Sequence, residues 1–149
     1  MQIFQATLAH LEETSRLFDA YRQFYGQAPD SGEAIRFIRA RLDAADSVIF
    51  LAWNEAGECT GFVQLYPAFS SVAMKRMWYL NDLYVAESAR QQGVARALLK
   101  RVASFAGETD ALTVKLATAV SNHHAKLLYE SEGYEKVTAF DHYTQLVGV

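Results

Sequence analysis

The segment most able to do chemistry is Arg90-Gln91-Gln92-Gly93-Val94-Ala95. It sets a residue without a side chain, then small ones, where an amphipathic helix begins. Several backbone N–H groups therefore precede the first intrahelical bond and point outward. Such donors suit a pyrophosphate, and the helix dipole adds typically ~0.3–1 kcal/mol per anionic group. Arg90 and Arg96 carry charge of the right sign to reinforce it. The same residues also fit a plain turn, with Gly93 no more than the bend before a helix. The segment is neither G-x-G-x-x-G nor a Walker loop, because no Gly-Lys-Ser/Thr occurs in the chain, so nicotinamide cofactors and ATP lack their usual signatures.

Other reactive side chains do not assemble by spacing. There is no H-E-x-x-H and no G-x-S-x-G. His123 and His124 are adjacent, so on a helix they diverge and read as polar surface positions. Cys59 is the only cysteine, which excludes an internal disulfide and a multi-thiolate metal site. A thiol could in principle carry an acetyl group, yet Cys59 lies beside a hairpin turn and reads as structural. No metal is expected. A net charge of −3, with Lys and Arg scattered, gives no footprint for a nucleic-acid backbone.

Behind these residues stands a chain of 149 residues, 51% apolar, without repeats or linkers. One domain over residues 1–149 is expected, burying roughly 70% of its unfolded surface. No run approaches the ~18 apolar residues of a membrane span, and Met1-Gln2-Ile3-Phe4-Gln5 lacks the marks of a signal peptide, so a cytoplasmic protein without membrane contact is expected.

The elements follow from periodicity. Residues 2–6 read as an edge strand. Thr7 caps a helix with Leu11, Ser15, Phe18, Tyr21 and Tyr25 inward, stopping near Gly26. Asp30-Ser31-Gly32-Glu33 fits a capping box for a second helix bearing Ile35, Ile38 and Leu42. Residues 47–53 and 60–66 make a hairpin that Pro67 ends. A mobile-looking stretch, 67–75, leads to a strand at 77–85. Residues 93–106 form a crossover helix with Val94, Leu98, Val102 and Phe105 on one face. A strand at 112–117 completes a right-handed βαβ unit. Ser121 or Asn122 opens a last helix that Gly133 closes, and two short strands, 134–139 and 142–147, finish the chain. The order argues for an α/β fold, a central mixed sheet flanked by about four helices.

The pattern R-x-x-G-x-A resembles the R/Q-x-x-G-x-G/A acetyl-CoA signature of the GNAT superfamily of N-acetyltransferases. Ahead of it, Leu80-Asn81-Asp82-Leu83-Tyr84-Val85 resembles the family's fourth strand. Behind it, Ala97-Leu98-Leu99 resembles the helix that carries the signature. The run Asn122-His123-His124-Ala125-Lys126-Leu127-Leu128-Tyr129-Glu130-Ser131-Glu132-Gly133-Tyr134 matches N-x-x-A-x-x-L-Y-x-x-x-G-[FY]. Within the superfamily the chain looks closest to small polyamine, histone or amino-acid acetyltransferases.

The resemblance implies a mostly antiparallel sheet splayed between its fourth and fifth strands, where the pantetheine arm of acetyl-CoA lies. The main chain of Leu83, Tyr84 and Val85 would meet that arm. Gln91, Gln92, Gly93, Val94, Ala95 and Arg96 would meet the pyrophosphate, with Arg90, Asn122 and Lys126 in the same cofactor set. An N–H near the splay would polarise the thioester carbonyl. Tyr129 resembles the family's general acid for the departing thiolate, although by spacing alone it also fits an aromatic packing residue. Asn122 fits an N-cap as well.

An alkyl amine of pKa ~10.4 is protonated at pH 7, and exposing its lone pair costs about 4–5 kcal/mol. Some polyamine-acetylating relatives carry Glu where this chain has Asn81, which cannot act as a base. Asp82 is then the nearest carboxylate. Strand alternation points it away from the substrate unless a bulge re-aims it. A structural hydrogen-bond acceptor and a water relay stay open. Tyr21, Phe24, Tyr25, Tyr66, Phe69 and Tyr79 are candidates to line a cation-accepting pocket. The implied activity is acetyl transfer to a primary amine of a polyamine, amino acid or similar small molecule; a protein lysine or N-terminus and a non-catalytic acyl-CoA-binding domain are the alternatives. A homodimer is expected, using the terminal strands.

Overall fold

Thr7 and Asp30 open the helical layer by the chemistry of their side chains. In the computed structural model, which describes residues 1–148, the Thr7 hydroxyl accepts from the Ala9 N–H at 3.3 Å, and a 3-10 turn, Leu8–His10, leads into α1 (Leu11–Phe24). Asp30 accepts from the Glu33 N–H at 3.1 Å and starts α2 (Ser31–Ala44). Each cap satisfies an amide that the first turn leaves without a partner. The chain divides into two compact units, Met1–Ala117 and Thr118–Val149, each described by itself.

The first unit holds a five-stranded sheet in the order β1 (Gln2–Gln5), β2 (Val48–Trp53), β3 (Cys59–Ser70), β4 (Lys75–Val85), β5 (Val114–Leu116). Its pairings are antiparallel except β4 with β5, which are parallel and joined through α3 (Val94–Glu108). The α1 and α2 side buries Leu17, Ile38, Ile49, Leu51 and Phe62, with Phe18 and Tyr21 packed against them. On the other side Phe105 of α3 meets Phe50 at 5.3 Å and Trp78 at 5.1 Å. The mixed sheet and four helices agree with the expected α/β class.

Three expectations about strands are corrected. Pro67 does not end β3, which pairs on through Pro67↔Trp78 to Ser70↔Lys75. Beyond Leu65 the ladder with β2 has ended, so Pro67 sits where one side of the strand is unpaired and a missing N–H is tolerated. The stretch expected to be mobile is thus mostly strand, and only the turn at 71–74 separates β3 from β4. In the second unit α4 (His123–Ser131) starts at its Asn122 cap and is followed by Gly133 at φ 91°. Residues 134–139 and 142–147 form no strand among the described residues. Their β-rich composition reflects how well side chains pack on a partner ladder, and here no ladder forms.

The ladder between β4 and β5 runs only from Trp78↔Val114 to Leu80↔Leu116. From Asn81 to Val85 β4 continues without β5, which is the splay that the resemblance implied.

Gly61 sets how closely α3 approaches this sheet. A Cβ there would lie 3.0 Å from Val94 Cγ1, 3.2 Å from the Tyr84 carbonyl oxygen and 3.3 Å from Leu98 Cδ1. Gly61→Ala should therefore cost about 1–3 kcal/mol by overpacking. At roughly 2–4 °C per kcal/mol for a chain of this size, circular dichroism melting should show a drop of several degrees. An unchanged Tm would mean that the first turn of α3 yields freely.

Candidate active site

The decisive local feature is a bulge in β4. Gln64 of β3 pairs with Asp82 and Leu65 with Leu80, so Asn81 is an extra residue on β4. Along a regular strand, Trp78, Leu80 and Asp82 would share one face. Trp78 packs on α3, so that face is the α3 side. The inserted Asn81 changes the parity. Asp82 now shares the α1 side with Gln64, and Tyr84 stands 6.5 Å, ring to ring, from Tyr21 of α1. The bulge thus turns Asp82 from the α3 side to the α1 side.

Asp82 is 2% exposed. Its Oδ2 accepts from Gln64 Nε2 at 2.5 Å and its Oδ1 from Asn81 Nδ2 at 2.6 Å. The single hydroxyl proton of Tyr21 is shared between the Asn81 carbonyl, at 3.2 Å, and Asp82. Burial raises the pKa of Asp82 above the ordinary carboxylate value, while Asn81, Gln64 and Tyr21 oppose the rise. None of these donors is cationic.

A cluster of rings lies about Tyr21 on the helical side of the sheet. Tyr21 meets Tyr25 at 5.1 Å and Phe62 at 5.8 Å, and Phe24 meets Tyr84 at 6.3 Å. Tyr66 and Tyr79 face each other across β3 and β4. Burial and the nearby Asp82 push the Tyr66 phenol up to about 12. Phe69, by contrast, is 70% exposed on the distal part of the hairpin, with Arg76 over its ring, and does not join the cluster. The turn between α1 and α2 is fixed by Asp19, whose carboxylate accepts from Arg22 Nη1 at 2.8 Å and from the Asp30 N–H at 3.1 Å.

At the start of α3, Gly93 has φ 80° and lacks a side-chain cap, and a Cβ there would meet nothing within 4 Å. The first backbone bond across this boundary is the Ala97 N–H to the Gly93 carbonyl at 3.0 Å. The amides of Gly93, Val94 and Ala95 precede it, and Gln91 turns with φ 63°. An open helix start beside the unladdered edge of β4 fits a diphosphate attached to an extended arm. Arg90 Nε donates to the Val85 carbonyl at 3.1 Å, and its guanidinium lies 5.6 Å from the ring centres of both Phe24 and Tyr84. Arg90 therefore ties the loop to the end of β4. Arg96 lies exposed in the first turn of α3.

The second unit places Asn122, Lys126 and Tyr129 on one short helix. Asn122 Oδ1 accepts from the Ala125 N–H at 3.2 Å, and Lys126 Nζ donates back to the Val120 carbonyl at 2.6 Å. Tyr129 and Tyr134 are 5.8 Å apart, ring to ring. Burial, with Tyr129 and Glu132 nearby, pushes the Tyr134 phenol up to about 12.

Cys59 is buried and its thiol is pushed up to about 11, chiefly by burial, which leaves it a poor nucleophile. Among the described residues no cluster of three or more His, Cys, Asp or Glu is arranged to hold a metal ion, and no helix is long and apolar enough to cross a membrane. Sequence reading missed Gln64, Ser47, Asp19 and Gly61. The available signal was a glutamine inside the apolar run Gly61-Phe62-Val63-Gln64-Leu65, where an unpaired amide would be costly.

The chain covers 96% of its length at 46% identity against the uncharacterized N-acetyltransferase YhfO of Bacillus subtilis, of which it spans 95%. It is also similar to the crystal structure of a probable acetyltransferase, with TM-score 0.95, 43% identity and coverage of 100% of this chain and 99% of that one. An aminoglycoside N-acetyltransferase in complex with CoA shares the fold, with TM-score 0.79 at 20% identity over 97% of this chain and 93% of that one. Residues 10–134 match the model of the acetyltransferase (GNAT) family, so with the fold and the relatives in agreement, the chain belongs to that family and is an N-acetyltransferase.

Proposed function

We propose that this chain transfers the acetyl group of acetyl-CoA directly to a small primary amine within a ternary complex, with Asp82 as the proton acceptor. The carrying observation is a buried carboxylate whose hydrogen-bond donors are all neutral. A carboxylate taken out of water and given only neutral donors is short of one positive charge, which an alkylammonium supplies. Tyr21, Asn81 and the rings of Phe24, Tyr25 and Tyr84 form the wall past which the acceptor nitrogen reaches it. Ring faces of this kind attract a cation.

Acetyl-CoA supplies the acetyl group activated as a thioester. In this reading the amides of Gly93, Val94 and Ala95, with Gln91, Gln92 and Arg96, hold its diphosphate. The open edge at Leu83, Tyr84 and Val85 takes the pantetheine arm, and Arg90 keeps loop and strand together. For Asn122 and Lys126 the family resemblance alone supports a cofactor role, and for the Tyr129 hydroxyl that of proton donor to the departing thiolate. Asp82 removes the proton whose retention holds the amine unreactive, a task of about 4–5 kcal/mol at pH 7.

Charge pairing favours an acceptor with one cationic nitrogen over a polyamine. Of the two buried acidic residues among those described, Asp19 is held by Arg22 at 2.8 Å, and Asp82 alone has no cation beside it. On α2 and the turn after it, Glu33 is bound by Arg36 and Asp46 by Arg41. Assays of CoA thiol release should show turnover with monoamines exceeding that with spermidine or lysine-containing peptides. Release with peptides alone would replace the small-amine reading by a protein acetyltransferase, and tight CoA binding without any release would mark a sensing domain.

Asp82→Asn should lower kcat/KM for the amine by about 10²–10⁴-fold with CoA affinity unchanged. Because the carboxylate's pKa is raised and only its ionised form accepts a proton, activity should fall as pH drops through that raised value. The acidic limb should therefore lie above the ordinary carboxylate range. A parent-like rate in Asp82→Asn would remove the residue from the chemistry.

Gly93→Glu should abolish measurable CoA binding by calorimetry while the protein stays folded. It forces a side chain onto a left-handed residue and sets a negative charge beside the diphosphate. Retained affinity would displace the phosphate site from the start of α3.

A further inference from the structure

We infer that Gln64 is a positioning residue for the acetyl-transfer reaction, an oriented amide that holds Asp82 as an ionised, correctly aimed proton acceptor, with the Ser47 hydroxyl satisfying the amide oxygen that the carboxylate leaves facing away. The inference rests on the reading of Asp82 as the base.

Gln64 is 0% exposed in the middle of β3, and its whole side-chain hydrogen-bonding capacity faces inward. Its Nε2 donates to Asp82 Oδ2 at 2.5 Å, and its Oε1 accepts from the Ser47 hydroxyl at 2.9 Å. The direction of the chain is Ser47 to Gln64 to Asp82. Were the amide reversed, its oxygen would face the Asp82 carboxylate and two acceptors would repel. The carboxylate, which only accepts, therefore sets the polarity of the amide, and Ser47, between α2 and β2 just ahead of the first ladder pair Val48↔Leu65, donates to the oxygen that remains. Gln64 is also the β3 partner of Asp82 across the bulge, and the backbone that re-aims the carboxylate thus delivers it to this donor.

The groups that face Asp82 leave this role to few others. From β4, Asn81 reaches Oδ1 at 2.6 Å from an exposed position. From α1, Tyr21 bonds the Asn81 carbonyl and Asp82. From β3, Tyr66 lies near Asp82 and is hydrogen-bonded by the Gln64 amide as well, and its phenol is also influenced by Arg41 and Asp46. Asn81 and Tyr21 lie at the acceptor side, where bonds change when the amine arrives. Gln64 is the sealed donor, so it holds one oxygen still while the other receives the proton. The proton lost by the acceptor nitrogen goes to Asp82, and Gln64 gains and loses none.

The test uses the intact protein and two readouts. Carbon-13 NMR of the Asp82 carboxyl in Gln64→Leu, a similar volume without a donor, should show the titration midpoint shifted upward by about one to two pH units. The acidic limb of kcat/KM with phenethylamine as acceptor should move by a like amount, with KM for acetyl-CoA unchanged. Gln64→Glu puts a second carboxyl beside the first, and the pair should titrate in two steps with the upper one well above the parent value. Ser47→Ala should shift the midpoint in the same direction by less. An Asp82 midpoint in Gln64→Leu equal to the parent's overturns the assignment, and so does one raised in Gln64→Leu but unmoved in Gln64→Glu. Asp82→Asn separates the two ideas. If it is inactive while Gln64→Leu titrates and turns over like the parent, only the assignment to Gln64 fails. If it turns over like the parent, the base reading fails, whatever Gln64 does to the titration.

Discussion

One inserted residue, Asn81 in β4, is the constraint on which the acceptor side depends. Side chains of a strand alternate, so a single extra residue exchanges the faces of everything after it. Without it Asp82 would share the α3 side with Trp78, away from Gln64. With it, the carboxylate meets Gln64, Asn81 and Tyr21. The insertion also begins where the parallel ladder stops, since Leu80↔Leu116 is its last pair. A bulged strand bends and twists more than a regular one, so the re-aimed carboxylate and the open edge of β4 are two results of one local irregularity.

The two buried aspartates show how environment divides one residue type into two roles. Asp19 and Asp82 are 8% and 2% exposed. Asp19 holds a guanidinium and the Asp30 amide, so its charge is compensated and its work is to fix the turn between α1 and α2. Asp82 has neutral donors only, and its pKa rises. Leaving a buried charge without a counter-ion costs stability, typically several kcal/mol before hydrogen bonds offset it. A fold tolerates such a cost at a site whose ligand brings the missing charge, and the neutral donors on each oxygen keep the carboxylate ionisable until it does.

Much of this was legible in the sequence because it is local. Thr7, Asp30 and Asn122 announce helix starts by their own short side chains, but Thr7 caps the 3-10 turn ahead of α1, and the capping box expected at Asp30 does not close because its N–H donates to Asp19 and Glu33 pairs with Arg36. Gly93 before Val94 marks the start of α3 for the same reason, as a left-handed conformation that one residue determines. What was not legible depends on partners distant in the chain. Pro67 reads as a terminator until the ladder with β2 is seen to have ended before it. Residues 134–147 have strand-like composition but no ladder. The parity of Asp82 turns on register, a property of two strands together. The place of Arg90 over Phe24 and Tyr84 depends on the end of α1, which is far from it in the chain. Gln64 looks like an interruption in an apolar run until the carboxylate opposite is known.

Gly61 connects the cofactor side with the acceptor side. Its missing side chain lies among Val94, in the first turn of α3, Leu98 one turn on, and the carbonyl of Tyr84 on β4. The proposed diphosphate amides and the proposed pantetheine edge are thus brought to a common distance by one backbone contact rather than by flexible side chains. Arg90 adds a second link, from the loop to the Val85 carbonyl next along that edge. Tyr84 then faces Tyr21, which bonds the carbonyl of the bulged Asn81. Close-packed contacts transmit small shifts instead of absorbing them. A displacement at the start of α3 would therefore alter where the donor lies relative to Asp82. Acetyl transfer needs that relation held to a fraction of an ångström, and elements packed backbone to backbone can hold it where a loop cannot.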